Sequence, residues 1–437
     1  MTRGVTYVAS SARTTAAIVL GLCTAAAVAE GIDIQSAGIV APQYGAEFGI
    51  SHSQQGLIFG LNNLGLFVGS ILAGFWSDRI GRRWTAILSM MLFGGGSLAC
   101  AFATSAIQFT LLRCCLGLGL GGSMANIVAI TAEASESNGT SRVMIMSAGI
   151  AIGGVIPGAI LAVWPHLPWR DIYQLGGWLP LGVGLLMLLL LPESDAFRRA
   201  RGAQQIDVNS GPRHAGARPF KALFEDGRAK ATLILWVAAF CAFLVYYLIN
   251  NWLPSMMVAR QFSTRESSIA AACFTGGGAI GTVVFGLALR AASRRTVTVI
   301  LFGGSFVALC AMALLHGVAV VLAAVFTVGF FVTTAKNIQY GLAPLYYPTA
   351  VRGTGVGMSL SAGRIGSIVG PTAAGALFAT GHGVAAVLLA LVPILMLALV
   401  ACLALSYFPV TEFAAEPGPA AAASAAMSSP SGHLEQH

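Results

Sequence analysis

"GFWSDRIGRR", residues 74–83, sets four charged side chains (Asp78, Arg79, Arg82 and Arg83) between two long apolar runs, roughly 54–76 and 84–104. About 20 apolar residues are enough to cross a bilayer as a helix. A charge at the centre of such a helix costs on the order of 2.5–3.5 kcal/mol. The stretch therefore reads as a loop at a membrane face joining two spans. Gly74 permits close helix approach, and Gly81 sits beside the turn. Asp78 can cap a helix end or pair with a base, while Arg79, Arg82 and Arg83 can grip carboxylates or carbonyls on a neighbouring helix. Such a cluster can latch one conformation of a helical bundle. The alternative is a topology signal alone, because basic loops are common.

The pattern returns 212 residues later. Pro42, Ser51, Gly65, Gly69, Gly74, Arg82 and Arg83 meet Pro254, Ser263, Gly277, Gly281, Gly286, Arg294 and Arg295, with Arg290 where Asp78 stood. A constant offset across two spans and a loop indicates a duplicated unit, with a weaker latch in the second copy. Apolar runs place twelve spans at about 16–41, 54–76, 84–104, 108–132, 143–164, 171–191, 231–251, 267–289, 297–315, 318–338, 354–378 and 384–408. The expected architecture is an all-α polytopic membrane protein of two six-helix halves, residues 1–194 and 231–408. A polar, basic cytoplasmic linker joins them over 195–230. A low-complexity tail over 409–437 reads as disordered. Repeats of this kind place a substrate site at their interface near the midplane, with access alternating by rocking.

Composition agrees with a bilayer. Of 437 residues, 56% are hydrophobic and 9% charged, against about 25% charged in soluble domains; mean hydropathy is +0.79. The net charge of +8 does not indicate nucleic acid. Most Lys and Arg fall in the termini and alternate loops, with Arg170, Arg260 and Arg265 opposite. This positive-inside pattern predicts cytoplasmic termini. All eight cysteines lie in apolar spans, so neither a disulfide framework nor a metal site is indicated. Arg3, Arg13 and "AVA" at 27–29 imitate a signal peptide, but the apolar run continues well past that point. There is no Walker loop and no nucleophile with a paired base, so an enzyme is not expected, nor a cofactor.

The loop motif, the twelve-span layout and "LPES" at 191–194 resemble the major facilitator superfamily. "RCCLGLGLGG" at 113–122 is similar to its span-four pattern, and "GIAIGGVIPG" at 149–158 is a loose version of its glycine-proline motif. "EGIDIQSAGIVAP" at 30–42 resembles the first-span signature of the aromatic acid:proton symporters. "NWLP" at 251–254, "LAPLYYPTAVRGTGVG" at 342–357 and "GRIGSIVGP" at 363–371 add to that likeness. The pattern is most similar to 3-(3-hydroxyphenyl)propionate transporters. Lys336 departs from it, standing where the resemblance leads us to expect an uncharged, glutamine-like residue.

Glu30 and Asp33 lie in an apolar run, three residues apart and so on one helical face. Lipid would be too costly a neighbour for them, so they face a cavity or partners. Three roles stay open: a proton carrier, a structural ion pair with Arg113 or Arg364, and direct substrate contact. Arg113, Lys336 and Arg364 are the candidate cations for an organic acid. Arg113 belongs to a general superfamily motif, which favours coupling or an ion pair; Arg364 matches the subfamily glycine-arginine motif; Lys336 is the first choice for the carboxylate. Its alternative is snorkelling to the interface. Gln35, Asn62, Asn63, Asn126, Tyr246, Tyr247, Asn250 and Asn337 could read a phenol, or serve as helix-to-helix glue. Asn250 and Asn251 could simply meet water at a span end. Glu133 and Arg142 bracket a cytoplasmic loop and read as a pairing set. His52, His166, His316 and His382 read as solvated loop residues.

The expected function is proton-coupled import of an aromatic carboxylate across a bacterial inner membrane by a monomeric carrier. A proton-driven exporter on the same fold and a non-transporting sensor of aromatic acids are the alternatives.

Overall fold

The computed structural model describes residues 2–133, 139–193, 223–225, 228–347 and 352–408, with side chains from residue 16 onward except 133, 139–141 and 290–291. The predicted linker and tail fall outside the described residues, apart from 223–225, 228–230 and the buried Leu223. All regular structure among them is helical: α1 (Thr2–Ile39), α2 (Ala41–Glu47), α3 (His52–Ile80), α4 (Arg82–Ala101), α5 (Ala106–Glu133), α6 (Gly139–Val163), α7 (Trp169–Leu190), α8 (Ala229–Ala259), α9 (Thr264–Ala291), α10 (Arg294–Leu314), α11 (Val318–Val328), α12 (Thr334–Leu342), α13 (Arg352–Ala379), α14 (Val384–Leu389) and α15 (Val392–Leu405). A π-helical turn, Gly329–Thr333, joins α11 to α12 into one span.

Eleven of the resulting helices are long and apolar enough to cross a membrane. The twelfth expected span, α13, is 28 residues long but too polar to count among them. Its glycines explain why. Gly366 and Gly370 press on the α8 backbone, and Gly375 meets α3 at His52 and Gly56, so the glycine face of α13 is walled by protein while Ile365 and Val369 are exposed on the other. Elsewhere large apolar side chains such as Leu111, Ile152, Trp178, Val283 and Val400 are exposed, as suits a lipid-facing rim.

The 212-residue repeat is structural. Helices α3 and α9 start at His52 and Thr264, each behind a serine capping box: Ser51 with Gln54, and Ser263 with Glu266. Helices α4 and α10 begin at Arg82 and Arg294. Gly65 and Gly69 abut the backbone of Cys114 and Leu118; Gly277 and Gly281 abut Phe326 and Phe330, the same partners displaced by the same offset. Small residues let helices approach where lipid supplies no hydrophobic drive for association.

Two bonded ends define the bundle. At one, Arg170 binds Glu47 and the Ala103 carbonyl, and Arg260 donates to the Met312 and Leu315 carbonyls. At the other, where the basic loops lie, Arg83 donates to the Leu188 carbonyl, Arg295 to Ser406, and Tyr346 to the Leu405 carbonyl. Apart from Arg364 to the Met124 sulfur, bonds between the first and second six spans gather toward the first end. Gln55 Nε2 donates to Ser255 Oγ (2.8 Å), Asn63 Nδ2 to the Ser367 carbonyl (2.8 Å) and Thr372 Oγ1 to the Gly56 carbonyl (3.4 Å). A Cβ on Gly38 would meet Asn251 O at 2.8 Å, and one on Gly158 would meet Ser268 O at 2.9 Å. The interface is thus closed away from the basic loops.

Candidate functional site

Helix α1 delivers Glu30 and Asp33 to α5, each to its own partner. Asp33 Oδ1 accepts from Arg113 Nη1 at 3.0 Å, both residues only 1% exposed. The guanidinium carbon lies 5.6 Å from the centre of the buried Tyr173 ring. Glu30 Oε1 accepts from Ser123 Oγ at 2.5 Å. Arg113 and Ser123 stand ten residues apart, roughly 15 Å along α5, so the two carboxylates reach toward opposite ends of the bundle. Glu30 Oε2 and Asp33 Oδ2 have no protein partner. Close packing fixes this geometry: Gly31, between the acids, lies against the Ile150 and Gly154 backbone of α6, where any Cβ would collide.

The second six spans present two cations toward the same region. Arg364 of α13 donates to Tyr247 Oη at 3.1 Å and reaches across to Met124 Sδ of α5 at 3.7 Å. Its charge is felt at Glu30. Lys336 of α12 points its Nζ at the Tyr246 ring, 4.3 Å from its centre, with Phe243 at 5.9 Å. Arg364 is also close enough for its charge to be felt at Lys336. Both cations are half-buried, and neither has a carboxylate within salt-bridge distance among the described residues. Tyr246 and Tyr247 meet edge to face at 5.1 Å, so aromatic faces stand beside both cations. The π turn lies one helical turn before Lys336, and such turns recur at functional positions.

Next to this constellation a narrow cavity is lined by Phe59, Asn62, Asn63, Leu120, Tyr247 and Asn251, among others. Asn62 Oδ1, and nearby Gln35 Nε2 on α1, are buried without a hydrogen-bond partner. Of the other candidate phenol readers, Asn63 and Asn337 bond neighbouring helices, and Asn126 bonds the Gly122 carbonyl of its own helix. Asn250 and Asn251 do not meet water. They are 1% and 5% exposed, because the α8 backbone there abuts Gly38 of α1. His166, His316 and His382 are exposed loop residues, and His52, also exposed, packs its ring against Trp252 and Phe378.

In the loop at 74–83, Gly81 adopts φ +97°, a conformation favouring glycine. Glu193 of "LPES" lies against it and accepts from the Arg83 amide at 3.2 Å, at the positive start of α4. Arg79 stacks on Phe75 at 3.8 Å. Arg82 opens α4, and Arg142 is half-buried at the start of α6. The Glu133 side chain lies outside the described residues, so its pairing with Arg142 is not described. Asp78 is exposed, and no helix comes within 4 Å of a Cβ placed on Gly74. The expected close approach at Gly74 is therefore absent in this conformation.

Ser123, Phe243, Met124 and Glu193 escaped the sequence reading. Only Glu193 had a signal, its place in "LPES". The others are ordinary residues whose roles come from helices distant in sequence.

Comparison with known proteins agrees with this architecture. Residues 23–371 and 235–432 match the Major Facilitator Superfamily model. The chain belongs to the major facilitator superfamily. It is 33% identical over 391 residues to the 3-(3-hydroxy-phenyl)propionate transporter of Escherichia coli, covering 89% of this chain and 94% of that protein. It is 31% identical to the gallate transporter of Pseudomonas putida, covering 84% and 86%. Against a gentisate transporter of Corynebacterium glutamicum identity is 28%, covering 87% and 85%. Among solved structures, a bacterial homolog of the lysosomal transporter Spinster, inward-facing and unoccupied, superposes with TM-score 0.74 at 17% identity, covering 90% of this chain and 97% of that one. The xylose transporter XylE of Escherichia coli, inward open, gives 0.71 at 15%, covering 91% and 97%. These two establish the superfamily fold. The expected resemblance thus holds, and the chain is a multi-pass membrane transporter rather than an enzyme.

Proposed function

We propose that this protein imports an aromatic carboxylate together with protons, its two halves (1–194 and 231–408) rocking about the closed interface. Transport of aromatic acids by its relatives supports the class of cargo. The observation that carries the reading is the placement of Arg364, a cation at the interface with no carboxylate bonded to it among the described residues but with Glu30 in electrostatic reach. A substrate carboxylate and the Glu30 carboxylate compete for that guanidinium. A proton on Glu30 frees Arg364 for the substrate, and loss of that proton draws the cation back to Glu30 and expels the anion. Asp33, already neutralised by Arg113, holds α1 to α5. Tyr246 and Tyr247 flank the ring, while Asn62 and Gln35 offer unbonded groups to a phenol.

The basic loops support cytoplasmic termini, which makes the bonded interface the outer one and this conformation closed to the outside. Asp78, Arg79, Arg82 and Arg83 with Gly74 then form a latch that engages the second half when the carrier opens outward. The carrier acts as a monomer.

Labelled 3-hydroxyphenylpropionate in proteoliposomes under an imposed inward proton gradient tests the reading, with gallate and gentisate as competitors. Accumulation that collapses with the gradient, and that Glu30→Gln converts to gradient-independent equilibration, is expected. Failure to accumulate any of the three acids, or outward flux alone, rejects it.

A further inference from the structure

The Tyr246–Tyr247 pair has more positive charge beside it than a single carboxylate needs. Of the acids at membrane depth, Asp33 is bound to Arg113 and Glu30 to Ser123. Lys336 and Arg364 therefore stand on neighbouring helices, linked through the Tyr246–Tyr247 pair, without a bonded carboxylate among the described residues. Two like charges held on adjoining tyrosines in a low-dielectric interior repel each other. With Glu30 protonated, no carboxylate among the described residues offsets that repulsion. One monocarboxylate can answer one of them. An anion with two negative groups answers both.

The surroundings are aromatic as well as cationic. Tyr246 lies beneath Lys336, Tyr247 is hydrogen-bonded to Arg364, and the two rings touch edge to face. A flat ring seated beside this tyrosine pair would carry one substituent toward the ammonium and another toward the guanidinium. Arg364 presents a planar fork that suits bidentate capture of a carboxylate, whereas Lys336 is a point charge on a flexible stem that adapts to substituent position.

We infer that Lys336 is a specificity residue and that the preferred cargo is an aromatic dicarboxylate, its two carboxylates divided between Arg364 and Lys336. This rests on the proposed import of aromatic acids and narrows it to dianions. A dianion also strengthens the competition at Arg364, because Glu30 must be protonated before so much negative charge can enter.

Uptake of labelled phthalate, isophthalate and terephthalate is measured in proteoliposomes beside benzoate and 3-hydroxyphenylpropionate, under one imposed proton gradient. For at least one dicarboxylate, kcat/KM at least tenfold above that of benzoate is expected. Lys336→Gln should reduce that selectivity ratio at least tenfold, and Lys336→Arg should restore most of it. Retention of both variants as a monodisperse peak on size exclusion separates loss of charge from loss of fold, and a poorly folded Gln variant is replaced by Lys336→Met. Accumulation of the monocarboxylates with all three dicarboxylates ignored overturns the inference while leaving the import reading standing. So does a Lys336→Gln variant whose selectivity ratio is unchanged. If no acid of either class is accumulated, both fall.

Discussion

Glu30 and Asp33 differ by partner, and the difference makes them separable by experiment. Asp33→Asn leaves Arg113 charged, buried and unpaired, which costs about 3–5 kcal/mol. Glu30→Gln keeps an acceptor for Ser123 and is expected to cost under about 1.5 kcal/mol. Thermal unfolding in detergent should therefore show a large drop in midpoint for Asp33→Asn and a small one for Glu30→Gln, although both acids are equally buried. Comparable losses would deny Asp33 its structural role. A second residue-scale test lies outside the bilayer. Arg170 and the Trp169 indole bond Glu47 and hold its carboxyl below the ordinary glutamate value. A depressed value means the contribution is present above the ordinary value of about 4.3 and fades as pH falls through the lowered one. Since both partners are about a third or more exposed, solvent screening keeps it to under about 1 kcal/mol. Glu47→Gln should thus be slightly destabilised at pH 7 and converge with the parent in acid; a gap that widens in acid would contradict the assignment. At this scale the sequence reveals charges in apolar runs, which is why Glu30, Asp33, Arg113, Lys336 and Arg364 were all legible. It does not reveal who meets whom: Ser123 is 93 residues from Glu30, and Met124 is 240 from Arg364.

Element boundaries follow local chemistry, and local chemistry is what a sequence carries best. The capping boxes at Ser51 and Ser263 start two helices at repeat-related positions. Replacing either serine by alanine should cost about 1 kcal/mol, equally for the two, with aspartate restoring most of it in thermal unfolding. Unequal losses would mean that the two copies no longer share this feature energetically. Where tertiary packing decides, the sequence is less informative. The π turn at Gly329–Thr333 has no composition of its own. It stands where Gly329 abuts the Phe274 backbone and a Cβ on Gly304 would strike the Phe331 ring, contacts between helices rather than along one. Helix α13 illustrates the reverse case. Its length and its glycine-arginine motif were readable, yet its low hydropathy makes sense only once α8 and α3 are seen to pack on its glycine face.

For the whole molecule, the decisive question is whether the closed interface is one state of a cycle or a permanent seam. Its bonds are few: Gln55 to Ser255, Asn63 to the Ser367 carbonyl, Thr372 to the Gly56 carbonyl and the long contact of Arg364 with the Met124 sulfur, with glycines at the closest approaches. Neutral hydrogen bonds of this kind contribute about 0.5–1.5 kcal/mol each, and no ion pair among the described residues spans the interface. Such a seam can part at a cost that substrate and proton binding could meet, as alternating access requires. Cysteines at 55 and 255 test this directly, in a background whose eight native cysteines are replaced by serine or alanine. A short, reducible bifunctional thiol reagent should join them in the resting carrier, stop uptake by more than tenfold, and release it again on reduction. In the double variant without the cross-link, an external thiol reagent should react faster when substrate and protons are supplied together than with either alone. A cross-link that leaves transport intact would mean the halves do not separate here and that cargo takes another route through the bundle.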